Sequence, residues 1–495
     1  MERSASYSLD DMTGTWLAQQ AGRLTGQQPG DSGILLLDTG REAFTSRIAL
    51  ADSAERSLDA QYYIWNADTT GRLLAERLLR AADRGVRVRL LLDDYGVGNK
   101  DNELVALDAH PAIEVRVYNP FRSGLRSGLR RWTSMATGFS RLNRRMHSKT
   151  FIVDGSFAIV GGRNIGDEYF DARRDMNHRD RELLATGPVV ADVARQFDVM
   201  WNSDWALPVS ALVSVRLSQG DLLQRYQALQ AFADSPASQP YPLPDTAEAR
   251  RTLLAAWHAS VVRAPAEFVY NPPEITAGDE ANGSVVANHL LELITETQQE
   301  ILIESAYFIV SAGLLQQVQP LLEQGVSIDV LTNSLATTDV WTIHAGYTRN
   351  RKDVLRQGIG LYEFRPDAAS CQRLIDNRQL DCGALTFSLH AKSVVFDRKL
   401  VFVGSFNLNP RSRYLNTETA LLVHSPELAG RIARDIEENM LPENSWRVAL
   451  DAAGRLEWHA RTAGVDTVVR QEPDTGTWLR VKSLLFSLLP AEKYL

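Results

Sequence analysis

His147-Ser-Lys149-Thr-Phe-Ile-Val-Asp154 and His390-Ala-Lys392-Ser-Val-Val-Phe-Asp397 are two copies of one pattern. Each is followed in the same register by small residues and an asparagine: Gly161, Gly162 and Asn164 in the first copy, Gly404, Ser405 and Asn407 in the second. By composition, His, Lys, Asp, Gly and Asn at these fixed offsets arise by chance on the order of 10⁻⁸ times per starting position. A doubled occurrence is therefore not an accident of composition.

Apolar residues alternate after each histidine, Phe151 and Val153 in one copy and Val394 and Phe396 in the other, which is the period of a strand. Residues two apart on a strand share a face, so His147 and Lys149 stand side by side, as do His390 and Lys392. Gly161-Gly162 and Gly404-Ser405 end a second short apolar run. Small residues there let the backbone come close to a ligand. Asn164 and Asn407 can donate amide hydrogen bonds to phosphate oxygens, which makes Gly162, Asn164, Ser405 and Asn407 candidate substrate-binding positions.

Two histidines, two lysines and two asparagines can converge on one phosphate. A neutral imidazole attacks phosphorus and a protonated one gives a proton to the leaving alcohol. Histidine, with a reference pKa near ~6.5, serves in both states around neutral pH. Lys149 and Lys392 supply the charge stabilisation that many phosphotransferases assign to Mg²⁺. The expectation is phosphodiester exchange through a covalent phosphohistidine, with no metal or other cofactor.

The repetition extends beyond these motifs. Ser57–Trp65, a helical pattern ending at Gly85, and Val86–Leu92 are echoed by Ile301–Phe308, a helical pattern ending at Gly325, and Val326–Leu331. Each is a strand–helix–strand unit with glycine just past the helix. A near-constant offset is what a duplication leaves. The predicted fold is α/β: two duplicated halves of mixed sheet flanked by helices, related by a pseudo-two-fold, with the active site at their interface and complete within one chain. The expected boundaries are a flexible leader over 1–32, halves over 33–230 and 255–440, a Pro/Ser/Ala-rich linker over 231–254, and a C-terminal extension over 441–495.

The chain has 495 residues, 44% hydrophobic and 23% charged, with net charge −8. That is a globular composition with ample core. Its acidity argues against nucleic acid as a partner. No apolar run is long enough for a spanning helix, and no signal peptide is visible at the start. Cys371 and Cys382 are either unrelated thiols or a disulfide closing a short loop, which would indicate an oxidising compartment.

The charge is uneven. Val115 to Val153 holds no acidic residue but carries Arg122, Arg126, Arg130 and Arg131 among other cations, with Phe121, Leu125, Leu129 and Trp132 at helical spacing. Such an arm suits an anionic lipid surface, with Arg122, Arg126, Arg130, Arg131 and Trp132 as candidate contacts. A solvated insertion and a polynucleotide groove are the alternatives. Near the C-terminus, Trp478, Val481, Leu484-Leu485 and Leu488-Leu489 fall on one helical face beside Arg480 and Lys482. That face either lies in a membrane interface or packs on the protein's own core.

Two His-x-Lys-x₄-Asp motifs with their Gly/Ser and Asn turns resemble the signature of the phospholipase D superfamily. Further segments, Gln61–Trp65, Arg84–Asp94, Arg141–His147, Gly161–Phe170, Leu331–Leu335, His344–Tyr347 and Gly404–Ser412, are similar to its bacterial cardiolipin synthase C subgroup. The resemblance implies phosphatidyl transfer onto the hydroxyl of phosphatidylglycerol, phosphatidylethanolamine or phosphatidylglycerol as donor, and peripheral association with the bacterial inner membrane. It implies His147 as nucleophile and His390 as general acid. It also implies a downstream carboxylate orienting each ring, Asp180 (with Glu182 as competitor) after His147 and Glu418 after His390. Asp154 and Asp397 are then structural partners in the site. A phospholipase D-type hydrolase or a phosphodiesterase of the same superfamily shares the chemistry. Gly162, where the second copy has Ser405, departs from the pattern and leaves that position without a hydroxyl.

Overall fold

The computed structural model describes residues 4–488 apart from 10–12, 27, 29, 99, 121–140, 279–283, 376 and 378–379. The first half contributes β1 (Asp31–Leu37), β2 (Ser57–Ile64), β3 (Arg87–Gly96), β4 (Ile113–Tyr118), β5 (Thr150–Val153), β6 (Phe157–Gly161), β7 (Met176–Arg179), β8 (Glu182–Thr186) and β9 (Ala206–Pro208). The second contributes β10 (Val262–Tyr270), β11 (Glu300–Ser305), β12 (Ser327–Asn333), β13 (Gly360–Phe364), β14 (Thr386–Leu389), β15 (Lys392–Phe396), β16 (Leu400–Gly404), β17 (Thr419–His424), β18 (Ser445–Leu450), β19 (Leu456–Thr462) and β20 (Val465–Val469).

Eighteen of these strands form one sheet. Its seam is the antiparallel pair β1–β10, with Asp31 opposite Pro265 and Ile34 opposite Val262. From the seam, β8, β6, β5, β2, β3, β4 and β9 run outward in one direction. Outward in the other run β17, β16, β15, β11, β12, β13 and β18. Position by position the two series match, and the antiparallel seam fits a two-fold axis running perpendicular to its strands. The remaining strands, β7 and β14, pair in parallel across the halves.

The strand–helix–strand units form for local reasons. Asp68 caps the helix Thr69–Asp83 and Ser311 caps the helix Ala312–Glu323, each accepting from the backbone N–H three residues on. Gly85 and Gly325 follow at φ +89° and +90°, a left-handed conformation that glycine adopts without strain. Leu58, Ala60, Tyr62, Val88, Leu90 and Leu92 pack under the first of these helices. Ile301, Ile303, Ile328 and Val330 pack under the second. The other sheet faces share a single core, in which Ile152, Val160 and Phe197 of the first half meet Val395, Val403 and Ile432 of the second. This common middle layer makes the two halves one body.

Three expected boundaries change. The leader is docked: the helix Trp16–Leu24 buries Leu17, Ala21 and Leu24, and Arg89 and Arg116 hold the carbonyls of Ser6 and Ser4. The connection over 231–254 is packed as well, because Tyr241 is buried with its hydroxyl donating to the Phe170 carbonyl, and the helix Ala247–Ser260 begins inside it. The extension supplies β18, the counterpart of β9, so the second half runs past 440. Cys371 and Cys382 form a disulfide. Among the described residues no helix is long and apolar enough to cross a membrane.

Candidate active site

The histidines lie where the halves meet. β5 begins at Thr150 and β15 at Lys392, so His147 and His390 sit on extended chain just ahead of their strands. That chain is held from the opposite half. The His147 N–H donates to the Thr417 carbonyl at 3.0 Å, and the His390 N–H donates to the Arg179 carbonyl at 2.6 Å. Thr417 and Arg179 each precede a carboxylate, and those carboxylates take the rings. His147 Nδ1 is 2.9 Å from Glu418 Oε2, and His390 Nδ1 is 2.5 Å from Asp180 Oδ2. The expected pairing within each half is thus exchanged: each ring is oriented by the acid of the other half. Glu182 is not available for this, because Arg47 grips both its oxygens at 2.6 and 2.9 Å.

Glu418 is fully buried. It also accepts from Ser405 Oγ at 2.5 Å, from Ser412 Oγ at 2.7 Å and from Asn416 Nδ2 at 3.3 Å. Burial alone would raise its pKa, but the His147 ring, Lys149 and the Ser405 hydroxyl together bring it below the ordinary carboxylate value. Asp180 is one methylene shorter, and the turn opposite it must come closer. A Cβ on Gly162 would stand 2.4 Å from Asp180 Oδ1. The departure at Gly162 therefore has a steric cause: Asp180 fills the space that the Ser405 hydroxyl occupies beside Glu418.

Both lysines are buried. Lys149 Nζ donates to the His147 carbonyl at 2.5 Å, and Lys392 Nζ donates to the His390 carbonyl and lies 3.0 Å from His390 Nδ1. Burial brings Lys149 down to about 7 and Lys392 down to about 8, although Glu418 and Asp180 pull the other way. Burial also pushes His147 down to about 4. His390 is held well below its ordinary value, first by burial and then by Lys392. Both rings are neutral in the empty site at neutral pH. In that state each Nδ1–H points at its carboxylate and each Nε2 is left as a base.

Asn164 is partly committed: its Oδ1 accepts from the Ile64 N–H and its Nδ2 donates to the Tyr169 hydroxyl, each at 3.1 Å. Asn407 is buried, and its Oδ1 has no hydrogen-bond partner among the described residues. Asp154 and Asp397 are not in the site, which corrects that part of the sequence reading. They lie at the far ends of β5 and β15, on the order of 16 Å along the strand from the lysines. There Asp154 accepts from the backbone N–H groups of Glu55, Arg56 and Ser57, and Asp397 accepts from those of Gln298, Gln299 and Glu300. Each fixes the chain leading into its half's first parallel strand. Arg122, Arg126, Arg130, Arg131 and Trp132 lie outside the described residues.

Sequence reasoning missed an aromatic and acidic wall. Tyr63 meets the His147 ring at 5.1 Å and lies under Lys149. Tyr169 and a third histidine, His178, each stand 5.2 Å from the His390 ring. Tyr307 donates to both oxygens of Asp339 at 2.8 and 2.9 Å. Asp339 is solvent-exposed; what desolvation it has would raise its carboxyl, yet the charges of His178, His390 and Lys392 and the Tyr307 hydroxyl hold it below its ordinary value, so it is anionic. The available signal was a tyrosine at the end of the first parallel strand in each half, whose side chain the period alone could not aim.

Elsewhere, His344, Glu363 and Glu472 offer three ligand atoms within 4.8 Å of one another, a grouping invisible in sequence spacing. Arg351 already occupies it, 3.1 Å from Glu363 and 2.7 Å from Glu472. A guanidinium in the centre makes this a buried ion-pair network rather than a cation cage.

Two halves joined at an antiparallel seam, each lending a His-x-Lys motif and a carboxylate to one site, define the phospholipase D class of enzymes. Residues 48–201 and 290–440 match the family described as "Cardiolipin synthase, PLD-like domain", and the chain belongs to that family. It is 38% identical over 469 residues to cardiolipin synthase C of Escherichia coli K12, covering 95% of this chain and 97% of that one. It is 24% identical over 424 residues to cardiolipin synthase B of the same strain, covering 83% and 84%. Phosphatidylserine synthase of Haemophilus influenzae shares the fold, with TM-score 0.60 at 15% identity, over 97% of this chain and all of that one.

Proposed function

We propose that the protein moves a phosphatidyl group from a donor phospholipid to the hydroxyl of phosphatidylglycerol, making cardiolipin through a phosphatidyl-histidine. The observation that carries this is the pair of buried imidazoles, each fixed by a carboxylate and backed by a lysine, in a chain alike over nearly its whole length to a cardiolipin synthase.

In the first step His147 Nε2 attacks phosphorus. Glu418 holds the Nδ1–H and stabilises the positive charge that forms on the ring. The bond from phosphorus to the leaving alcohol breaks, and His390 gives that oxygen a proton. Lys149 and Lys392 stabilise the charge on the equatorial oxygens. Arrival of the phosphodiester anion favours the protonated form of His390, offsetting the burial that keeps the empty site neutral. In the second step His390 takes the proton of the phosphatidylglycerol hydroxyl, whose oxygen attacks phosphorus. The P–N bond breaks and His147 is restored. Water in place of that hydroxyl gives phosphatidic acid, so synthase and hydrolase differ only in what reaches the intermediate.

The Asp339 carboxylate, on the His390 side where the leaving headgroup departs, supports a donor with a cationic headgroup such as phosphatidylethanolamine. The arm with Arg122, Arg126, Arg130, Arg131 and Trp132 is proposed as an anionic-lipid contact, consistent with peripheral attachment to the bacterial inner membrane.

The test is a lipid assay on vesicles of phosphatidylglycerol with and without phosphatidylethanolamine, reading cardiolipin, phosphatidic acid and freed headgroup. Cardiolipin should form, and His147→Ala or His390→Ala should reduce it by several orders of magnitude. Phosphatidic acid as the main product would instead make the protein a hydrolase.

A further inference from the structure

The C-terminal helix Thr477–Ser487 is turned the opposite way from a helix that packs on a core. Past its first residue, Thr477, its exposed positions are apolar: Trp478 is 74% exposed, Val481 40%, Leu484 65%, Leu485 60% and Leu488, just past its end, 74%. At 100° per residue these five fall within one stripe about 120° wide. The inward side carries Ser483, buried, with Leu479 and Phe486 partly buried beside it, Phe486 against Trp341 at 5.5 Å between ring centroids. Two cations border the stripe. Lys482 lies on one edge, 4.6 Å from the centre of the Trp341 ring, and Arg480 lies on the other.

We propose that this stripe docks in the interfacial layer of an anionic phospholipid bilayer and holds the active-site mouth against the membrane. The helix packs on the helix Trp341–Arg356, and Trp341 follows Asp339 by two residues. The Asp339 carboxylate accepts from the Tyr307 hydroxyl and interacts electrostatically with His390 and Lys392. The apolar stripe is thus joined through Phe486 and Trp341 to the segment that carries Asp339.

The size of the stripe selects the occupant. A helix of 11 residues is ~16 Å long and ~10 Å wide. That footprint is far below the ~800 Å² per partner of a stable protein interface. It is ample for a helix lying in the headgroup region, where tryptophan and leucines enter the acyl boundary and flanking Lys and Arg meet anionic headgroups. The proposal rests on the phospholipid reading above only for why a bilayer is present, and the experiment separates the two.

The full-length protein and the variant Leu484→Ser/Leu485→Ser are sedimented with phosphatidylglycerol vesicles, and both are assayed on short-chain phospholipid dispersed in detergent. Both substitutions are on exposed positions, so folding is not at stake. Vesicle binding should weaken by roughly ten-fold or more. Because the lost contact is apolar, the loss should persist at high salt. Turnover on the dispersed substrate should be unchanged. In parallel, tryptophan quenching by brominated phosphatidylglycerol should fall in Trp478→Phe. Undiminished vesicle binding and undiminished quenching would overturn the proposal. So would a parent that is dimeric in sedimentation velocity and becomes monomeric in the double variant, because a second copy would then cover the stripe. If neither protein turns over any phospholipid but the binding difference stands, the functional reading fails and the docking surface survives.

Discussion

Lys149 and Lys392 set the pH range of the site. An ammonium buried at a phosphate site works only while charged, and charge is present below its pKa and lost above it. Burial places Lys149 at about 7, Lys392 at about 8 and His147 at about 4. His147 must be neutral, which holds above its own value. For a soluble short-chain substrate, kcat/KM should therefore fall above about 7 as Lys149 loses its charge, on top of the loss that follows deprotonation of His390. Lys149→Arg keeps the charge at high pH, so whatever activity it retains should lack the lower alkaline limb. A limb that stays in place after that exchange would assign it to another group. At the same scale, Asp339→Asn removes the anion beside His390. It should raise KM for a phosphatidylethanolamine donor by roughly two- to five-fold, in the range of one exposed ion pair, while leaving a phosphatidylglycerol donor unaffected. Equal losses with both donors would mean that Asp339 serves His390 rather than the headgroup. The histidines and lysines were legible because chemistry requires those residue types at that spacing. Asp339, His178 and Tyr169 were not, since each is a single residue whose meaning comes from what folds against it.

At the level of elements, strand periodicity and glycine stops located the duplicated units, because burial on one or both faces leaves its mark on every residue of a strand. Which element feeds which site could not be read that way. The segments ending in Asp180 and Glu418 each serve the histidine of the other half, and nothing local in either segment encodes that. The turn at Gly162 shows how tightly these segments fit. Gly162→Ala places a methyl where the Asp180 carboxylate lies, 2.4 Å from its oxygen. Asp180 must then leave His390 Nδ1, and turnover should drop by roughly a hundred-fold or more, as for a displaced orienting acid. Alanine at the matching position of the second copy, Ser405→Ala, deletes the hydroxyl's bonds to Glu418 and to the Thr419 N–H without a clash and should cost far less. Measuring kcat for the two variants side by side decides it, and comparable losses would contradict the steric account.

For the whole molecule, charge across the seam matters as much as the shared apolar layer. Arg179 and Arg181, flanking Asp180, both close on Asp435 in the helix Pro426–Met440 of the second half, and Arg181 also reaches Glu304 at 3.2 Å. Removing the shared acceptor leaves two buried guanidinium groups to Asp38 and Glu304 alone for charge compensation. Asp435→Ala should therefore cost about 3–5 kcal/mol, seen as a lower urea midpoint, and a variant as stable as the parent would show that the cluster contributes nothing. The arm from 121 to 140 is a separate matter of long-range charge. Reversing Arg126, Arg130 and Arg131 to Glu should weaken binding to anionic vesicles at least several-fold at low salt, with the difference vanishing as salt rises, since salt screens the attraction of arginine to such a surface. Vesicle flotation across a salt series measures this. Binding equal to the parent at low salt would leave the C-terminal stripe as the sole anchor. The docked leader and the packed 231–254 connection were illegible because their composition is polar and proline-rich, while their anchoring depends on a few residues such as Leu17 and Tyr241 meeting a surface that the rest of the chain builds.

The exchange of carboxylates between the halves also bears on how such a chain can change over time. A fused pair of repeats usually leaves one copy free to decay while the other keeps working. Here that freedom is closed off. Damage to the acid of one repeat disarms the histidine of its sister, so neither repeat can drift without silencing both. What remains open is divergence in concert, in which one repeat sets a shorter acid against a glycine and the other a longer acid against a serine. The Gly162–Asp180 and Ser405–Glu418 pairs are such a divergence. They turn two once-equivalent histidines into distinguishable ones, with room for one to form the covalent bond and the other to carry the proton.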